Sequence, residues 1–167
     1  MQLLISDANI LIDIEEGELI EQMFRLPYQF AIPDILYYEE LEGQHNYLLA
    51  KGLQLADLNE NTMRYAEEII QRYPKPSRND CFALALAQNI KCPLLTGDKD
   101  LKKAAEKEAV IVMGTLWVVE RIVRMQLITV DQARGDYRKM KEASRRLPWD
   151  MAEAGLVNIQ NDMENNH

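Results

Sequence analysis

Short apolar runs alternate along the chain with longer segments in which apolar residues recur every three or four positions. Unbroken apolar runs such as Leu3-Leu4-Ile5 are typical of strands that are buried on both faces of a parallel sheet. The longer periodic segments are typical of helices with one apolar face. Because segments of the two kinds alternate, the pattern predicts parallel βαβ units and an α/β fold.

Glycine and proline residues that interrupt the pattern place the ends of the predicted elements. The predicted strands are residues 3–6, 29–32, 52–58, 93–96 and 109–113, with the third at an edge of the sheet. The predicted helices are residues 10–25 with a break at Gly17, 33–42 ending at Gly43, 61–73, 80–89, 98–108, 114–125 and 129–146. A chain of 167 residues is expected to form one domain.

Asp7 stands at the junction between the first predicted strand and the helix that follows it. Ligands of open α/β sheets bind at the carboxyl ends of the strands, so a functional carboxylate is expected there. Aspartate is also common at the N-terminus of a helix, where its side chain accepts hydrogen bonds from backbone amides. The sequence leaves both interpretations of Asp7 open.

Other acidic residues stand near similar junctions: Glu39 in the second helix, Asp80 at the start of the fourth, and Asp98 and Asp100 after the fourth strand. Each also has a structural explanation, since Asp80 fits a capping box with Ser77 and Asp98 fits an N-cap. Carboxylates gathered at one rim of a sheet repel one another unless a cation lies among them. Because no His or Cys metal-binding pattern accompanies them, Mg²⁺ or Mn²⁺ is the expected cation.

The composition is that of an ordinary soluble protein, with 47% hydrophobic and 28% charged residues. A formal net charge of −8 argues against tight nonspecific binding to nucleic acid, although four of these charges follow Leu147. Cys81 and Cys92 have neither metal-binding nor disulfide spacing and are expected to be core residues of a reduced protein. With no signal-peptide pattern and no apolar run long enough to span a bilayer, we expect a cytoplasmic protein without membrane contact.

Four motifs carry a resemblance to a known family. They are Leu4-Ile5-Ser6-Asp7-Ala8-Asn9, Ile32-Pro33-Asp34-Ile35-Leu36-Tyr37-Tyr38-Glu39, Asp80-Cys81-Phe82-Ala83-Leu84-Ala85-Leu86-Ala87 and Leu94-Leu95-Thr96-Gly97-Asp98. In order and spacing, over residues 2–125, they resemble the PIN domain, the nuclease fold shared by VapC-type toxins of prokaryotic toxin–antitoxin pairs.

This resemblance implies a three-layer α/β/α sandwich formed by residues 1–147, with residues 148–167 as an acidic C-terminal helix or tail. It also implies hydrolysis of RNA with the help of one or two Mg²⁺ or Mn²⁺ ions. The implied metal ligands are Asp7, Glu39, Asp80 and Asp98, with Asp100 as an additional ligand and Asn9 and Thr96 as polar supports. An RNA substrate, an antitoxin-like protein and a second copy of the chain in a homodimer are the implied partners.

Three alternatives stay open. Glu40 is the alternative to Glu39 as ligand, although the spacing from Pro33 favours Glu39, and both glutamates also fit a solvated helix face. A PIN-like fold without catalysis would serve as a binding or regulatory module with a structural metal site. A phosphorylated Asp7, as in receiver domains or haloacid dehalogenase-like phosphatases, is the weakest alternative, because Asn9 stands where the latter have a second Asp.

Basic residues that would face RNA occur near the acids and in the last predicted helix. They are Arg78, Lys99, Lys102, Lys103, Lys107, Arg138, Lys139, Lys141, Arg145 and Arg146. Because charge runs on surface helices are usual, we expect the basic residues of the last helix to form a solvated face.

Overall fold

The computed structural model describes residues 1–166, which contain one five-stranded parallel sheet. The strands are β1 (Gln2–Ser6), β2 (Tyr28–Pro33), β3 (Gln54–Ala56), β4 (Leu94–Leu95) and β5 (Val112–Met113). Their order is β3-β2-β1-β4-β5, so the chain runs outward from β1 to β3 and then adds β4 and β5 on the other side of β1. The strand order therefore reverses between β1 and β4.

Helices cover both faces of the sheet and complete the three-layer α/β/α sandwich that the family resemblance implies. They are α1 (Ala8–Glu16), α2 (Ile20–Met23), α3 (Asp34–Leu36), α4 (Glu42–His45), α5 (Leu48–Lys51), α6 (Glu60–Arg72), α7 (Arg78–Ile90), α8 (Lys99–Lys107), α9 (Thr115–Arg124), α10 (Val130–Glu142) and α11 (Trp149–Asn165). A π-helical turn, Tyr37–Leu41, joins α3 to α4. In one helical layer α7 packs against α6, α8 and the central strands, and in the other α9 packs against α1, α2, α10 and α11.

The predicted order of strands and helices is confirmed, as is the edge position of β3. Three predicted ends differ from the observed ones by three or more residues. The second helix passes through Gly43 to His45, because the π-helical turn leads directly into α4. The last strand does not begin at Ala109, whose φ of 61° belongs to the turn that ends α8. Helix α10 ends at Glu142 rather than at residue 146, because Ser144 adopts a left-handed φ of 63°.

The C-terminal helix α11 is part of the same hydrophobic core as the sheet. Its residues Ala152, Leu156 and Ile159 are buried, and the helix packs against α9 and α10. The division of the chain at residue 147 stays a prediction. No helix within residues 1–166 has the length and apolar character needed to cross a bilayer.

Helix α7 is buried along most of its length against the sheet and the neighbouring helices. Every residue from 81 to 87 is buried, and the alternation of Ala and Leu lets α6 and the strands approach it closely. A helix that is apolar nearly all round is expected only when neighbours cover it on several sides. The start of α7, which carries Asp80, is thereby fixed relative to β1 and β2.

We predict that the stability of the fold depends strongly on this helix. Leu84 is fully buried, so Leu84→Ala should lower the free energy of unfolding by about 2–5 kcal/mol through lost burial and a cavity. Ile90 on the same helix is 41% exposed, and Ile90→Ala should cost less than about 1 kcal/mol. Urea unfolding of both variants measures this, and equal losses would contradict the packing described for α7.

Candidate functional site

Asp7 lies directly after β1, at the point where the strand order reverses. Its backbone N–H donates to the Leu95 carbonyl at 3.0 Å, which joins it to β4. Its carboxylate accepts hydrogen bonds from the Ile10 N–H at 2.9 Å and from Thr96 Oγ1 at 2.6 Å. The residue is 3% exposed. Asp7 is therefore the N-cap of α1 and also a buried carboxylate at the position where open α/β sheets bind ligands.

The carboxyl ends of the strands form one rim of the sheet. At this rim Thr96 links Asp7 to a second aspartate, Asp98. While its hydroxyl donates to Asp7, it accepts the backbone N–H of Asp98 at 3.1 Å. Asp98 is exposed and caps α8, where its Oδ1 accepts the Leu101 N–H at 2.8 Å. Asp100 lies half-buried in the first turn of the same helix. The ends of β1 and β4 thus hold two aspartates through one threonine.

Asp80 occupies the third position of α7 and forms the capping box that the sequence predicted. Its N–H donates to Ser77 Oγ at 3.1 Å, and its Oδ2 accepts the Ser77 N–H at 3.2 Å. Burial raises the pKa of the Asp80 carboxyl, and the neighbouring charge of Asp98 raises this pKa further. The charge of Asp80 in turn raises the pKa of Asp7, so the three aspartates share one electrostatic environment.

Glu39 and Glu40 both reach the start of α7 from the π-helical turn. Asn79 Nδ2 donates to Glu39 Oε2 at 2.9 Å and to Glu40 Oε2 at 3.4 Å. Burial raises the pKa of Glu40, and the charges of Asp80 and Glu39 raise it further. The sequence contains no indication of a role for Asn79. No local pattern predicts that its side-chain amide forms a hydrogen bond with a residue 40 positions away.

Asp7 carries the largest electrostatic perturbation of the rim. Burial raises the pKa of its carboxyl from 3.8 to about 7. The hydrogen bonds from Thr96 and Ile10 oppose this rise, whereas the charges of Asp80 and Asp13 add to it. Within residues 1–166, no Lys or Arg forms an ion pair with any of the candidate acids at this rim. The rim is therefore rich in carboxylates and has no cation in direct contact with them.

The donor atoms at the rim fit a hard cation. Carboxylate oxygens and the Thr96 hydroxyl are what Mg²⁺ and Mn²⁺ prefer. Cys81 follows Asp80, but burial raises the pKa of its thiol to about 11, so it stays protonated and is a poor ligand. In the part of the chain that is described, no three His, Cys, Asp or Glu side chains stand close enough to hold a metal ion as they are. Repulsion between carboxylates favours such separation.

A second polar group, centred on Asp13, was missed by the sequence interpretation. Asp13 is 6% exposed and accepts hydrogen bonds from Thr115 Oγ1 at 2.7 Å and Arg145 Nε at 2.5 Å. The expectation that Arg145 belongs to a solvated face is therefore wrong, because its guanidinium forms an ion pair with the buried carboxylate of Asp13. A sequence signal existed, since Asp13 lies on the apolar face of α1, three residues after Ile10.

Comparison with known proteins adds the family. A model of the PIN domain family matches residues 3–161. The chain belongs to the PIN domain family. This agrees with the resemblance in the four sequence motifs, and the family match extends into α11. No curated protein matches the sequence of this PIN domain.

Several solved structures are similar to this PIN domain. The VapBC2 complex from Rickettsia felis, bound to a DNA fragment from its promoter, has 15% identity and a TM-score of 0.48, covering 68% of this chain and 98% of that chain. A toxin–antitoxin complex from Klebsiella pneumoniae has 26% identity and a TM-score of 0.47, covering 60% and 89%. A PilT N-terminus domain protein from Sulfolobus solfataricus has 14% identity and a TM-score of 0.47, covering 74% and 94%.

The raised pKa of Asp7 predicts a pH-dependent stability in chelator. Between pH 3.8 and about 7 the folded protein holds a proton on Asp7 that the unfolded chain has lost. The Asp7 contribution to the free energy of unfolding is therefore present below pH 3.8 and is lost as the pH rises to about 7. Asp7→Asn lacks this titration.

We expect the stability of wild type relative to Asp7→Asn to fall between pH 4 and pH 8 by at most about 4 kcal/mol, the value that the pKa shift corresponds to. Urea unfolding at a series of pH values in chelator measures the difference. A difference that does not change with pH would contradict the buried, protonated state of Asp7.

Proposed function

We propose that this PIN domain is a metal-dependent ribonuclease that hydrolyses phosphodiester bonds. The observation that supports this most strongly is the buried carboxylate of Asp7, joined through Thr96 to Asp98 at the reversal point of the sheet. The charge of Asp80 raises the pKa of Asp7, and no Lys or Arg within residues 1–166 forms an ion pair with these acids. A site that concentrates negative charge at a ligand-binding rim is suited to a divalent cation.

The proposed roles of the residues follow from their positions. Asp7 and Asp98 hold the main ion, and Thr96 connects the Asp7 carboxylate to the backbone of Asp98. Asp80 and one of the two glutamates complete the site and orient the attacking water. When bound, Mg²⁺ or Mn²⁺ would lower the pKa of that water and stabilise the negative charge on the leaving oxygen. No covalent nucleophile is required.

The substrate class is supported by exposed basic residues near the acids. Lys99, Lys102 and Lys103 lie exposed on α8, the helix that Asp98 caps, and exposed Arg78 begins α7. These cations are close in sequence to Asp80 and Asp98 and suit contacts with RNA phosphates. Because the net charge of the chain is −8, we expect RNA to bind weakly. Because Lys and Arg would contact the phosphates, we also expect salt to weaken this binding strongly. An antitoxin-like partner, a homodimer and a cytoplasmic location stay predictions.

A second candidate function is a non-catalytic PIN module that binds a divalent ion for structural reasons. The net charge of −8 favours this alternative, because it disfavours binding of RNA but not of a divalent cation. The two candidates differ in one respect, since both bind metal but only the first cleaves RNA.

The deciding experiment incubates the protein with a pool of structured and single-stranded RNAs in Mn²⁺, in Mg²⁺ and in chelator. We expect metal-dependent cleavage that Asp7→Asn lowers by about 100-fold or more, because Asp7 is proposed to hold the ion. Asp150→Asn is the matched control, as Asp150 is an exposed residue of α11 and the chemical change is the same.

Each outcome separates the candidates. Cleavage that survives equally in Asp7→Asn would contradict the proposed role of Asp7. If wild type cuts no RNA while Mn²⁺ still raises its melting temperature and not that of Asp7→Asn, the binding-module function is the better account.

Glu39 and Glu40 are alternative metal ligands, and this choice gives a further prediction. Because the charge of Asp80 acts on Glu40 and burial raises its pKa, we expect Glu40→Gln to weaken Mn²⁺ binding by about tenfold. Glu39→Gln is the matched control and should have a smaller effect. Isothermal titration with Mn²⁺ measures both, and the reverse order would assign the ligand role to Glu39.

A further inference from the structure

The segment between α10 and α11 brings Arg145 back to the first turns of α1, the helix that Asp7 caps. Arg145 Nε donates to Asp13 Oδ1 at 2.5 Å. Its Nη2 donates to the backbone oxygen of Asn9 at 3.4 Å and to Asn9 Oδ1 at 3.2 Å. One guanidinium therefore holds two residues that are one helical turn apart.

The two contacts of Arg145 are not equivalent. Asp13 is buried, also accepts from Thr115, and needs a cation to compensate its charge. Asn9 is exposed and follows Asp7 by two residues, at the end of α1 that faces the rim. The contact with Asp13 serves the fold, whereas the contact with Asn9 holds a polar side chain in the first turn of α1, two residues after Asp7.

We propose that Arg145 is a positioning residue of the metal site, acting through Asn9. The inference rests on the proposed function and adds to it a residue from the C-terminal part of the chain. Arg145 contacts none of the candidate acids, so its effect on the site passes through the first turn of α1. The chain after α10 thereby contributes to the site from the opposite end of the sequence.

A change of Arg145 to Lys separates the two contacts. Lysine presents one compact ammonium group and cannot reproduce the fork with which arginine reaches two acceptors. In Arg145→Lys the ammonium keeps the charge beside buried Asp13, and the contact with Asn9 is lost. Arg146→Lys is the matched control, because Arg146 is an exposed neighbour.

The test measures the melting temperature in chelator and the Mn²⁺ affinity by isothermal titration. We expect Arg145→Lys to melt close to wild type and to bind Mn²⁺ about tenfold more weakly, as for other residues that orient metal ligands. Asn9→Ala should show a similar loss of affinity, and the double variant should lose no more than either single change. Arg145→Gln, which leaves Asp13 without a cation, should lower the melting temperature by about 10 °C.

Two outcomes overturn the inference while leaving the proposed function intact. One is unchanged Mn²⁺ affinity in Arg145→Lys. The other is additive losses in the double variant with Asn9→Ala, since Arg145 would then act by another route.

A metal-free measurement separates failure of the inference from failure of the proposed function. Hydrogen exchange of the Leu11 amide in chelator reports the first turn of α1, and it should be several-fold faster in Arg145→Lys than in Arg146→Lys. If wild type binds no Mn²⁺ but this acceleration is observed, the proposed function fails and the positioning of α1 by Arg145 stands. If wild type binds no Mn²⁺ and exchange is unchanged, both fail.

Discussion

The buried carboxylate of Asp7 is the constraint on which the rest of the site depends. A carboxylate removed from water must accept hydrogen bonds or take up a proton. Here the Ile10 amide and the Thr96 hydroxyl supply the bonds, and burial still raises its pKa to about 7. Because Thr96 follows β4, β1 and β4 must pair in register for Asp7 to receive the hydrogen bond from the Thr96 hydroxyl. The reversal of strand order is thus tied to the chemistry of one side chain.

The aspartates that cap helices are also the aspartates that gather at the rim of the sheet. Asp7 caps α1, Asp98 caps α8, and Asp80 completes the capping box of α7. Helices that begin at the carboxyl ends of the strands bring their positive ends to one rim, where they favour anionic groups. The structural explanation of each acid therefore does not compete with the functional one. Local capping places the acids, and the sheet brings them to the same rim.

Elements with a local signal could be predicted from the sequence. Buried strands, the alternation of strands and helices, and the caps at Asp7, Asp80 and Asp98 all depend on neighbouring residues. The order of the strands is not local and was not predicted, whereas the three-layer fold class that the family resemblance implies is confirmed. The shortness of β5 depends on the left-handed residue Ala109, which β-propensity does not reveal.

Contacts between distant segments could not be predicted. Asn79 meets the glutamates only because a π-helical turn brings them to the start of α7. Arg145 was expected on a solvated face because charge runs on surface helices are usual, whereas α10 ends at Glu142 and Arg145 contacts Asp13. A charged residue on an apolar helix face, as Asp13 is on α1, is the kind of signal that predicts such a partner.

We propose that a divalent cation binds where β1 and β4 end. Anomalous diffraction from a crystal soaked in Mn²⁺ tests it most directly, because it locates the ion without relying on activity. We expect an anomalous peak within ligand distance of Asp7 and Asp98. A saturated crystal with no peak at this rim, or with its peak elsewhere, would contradict it.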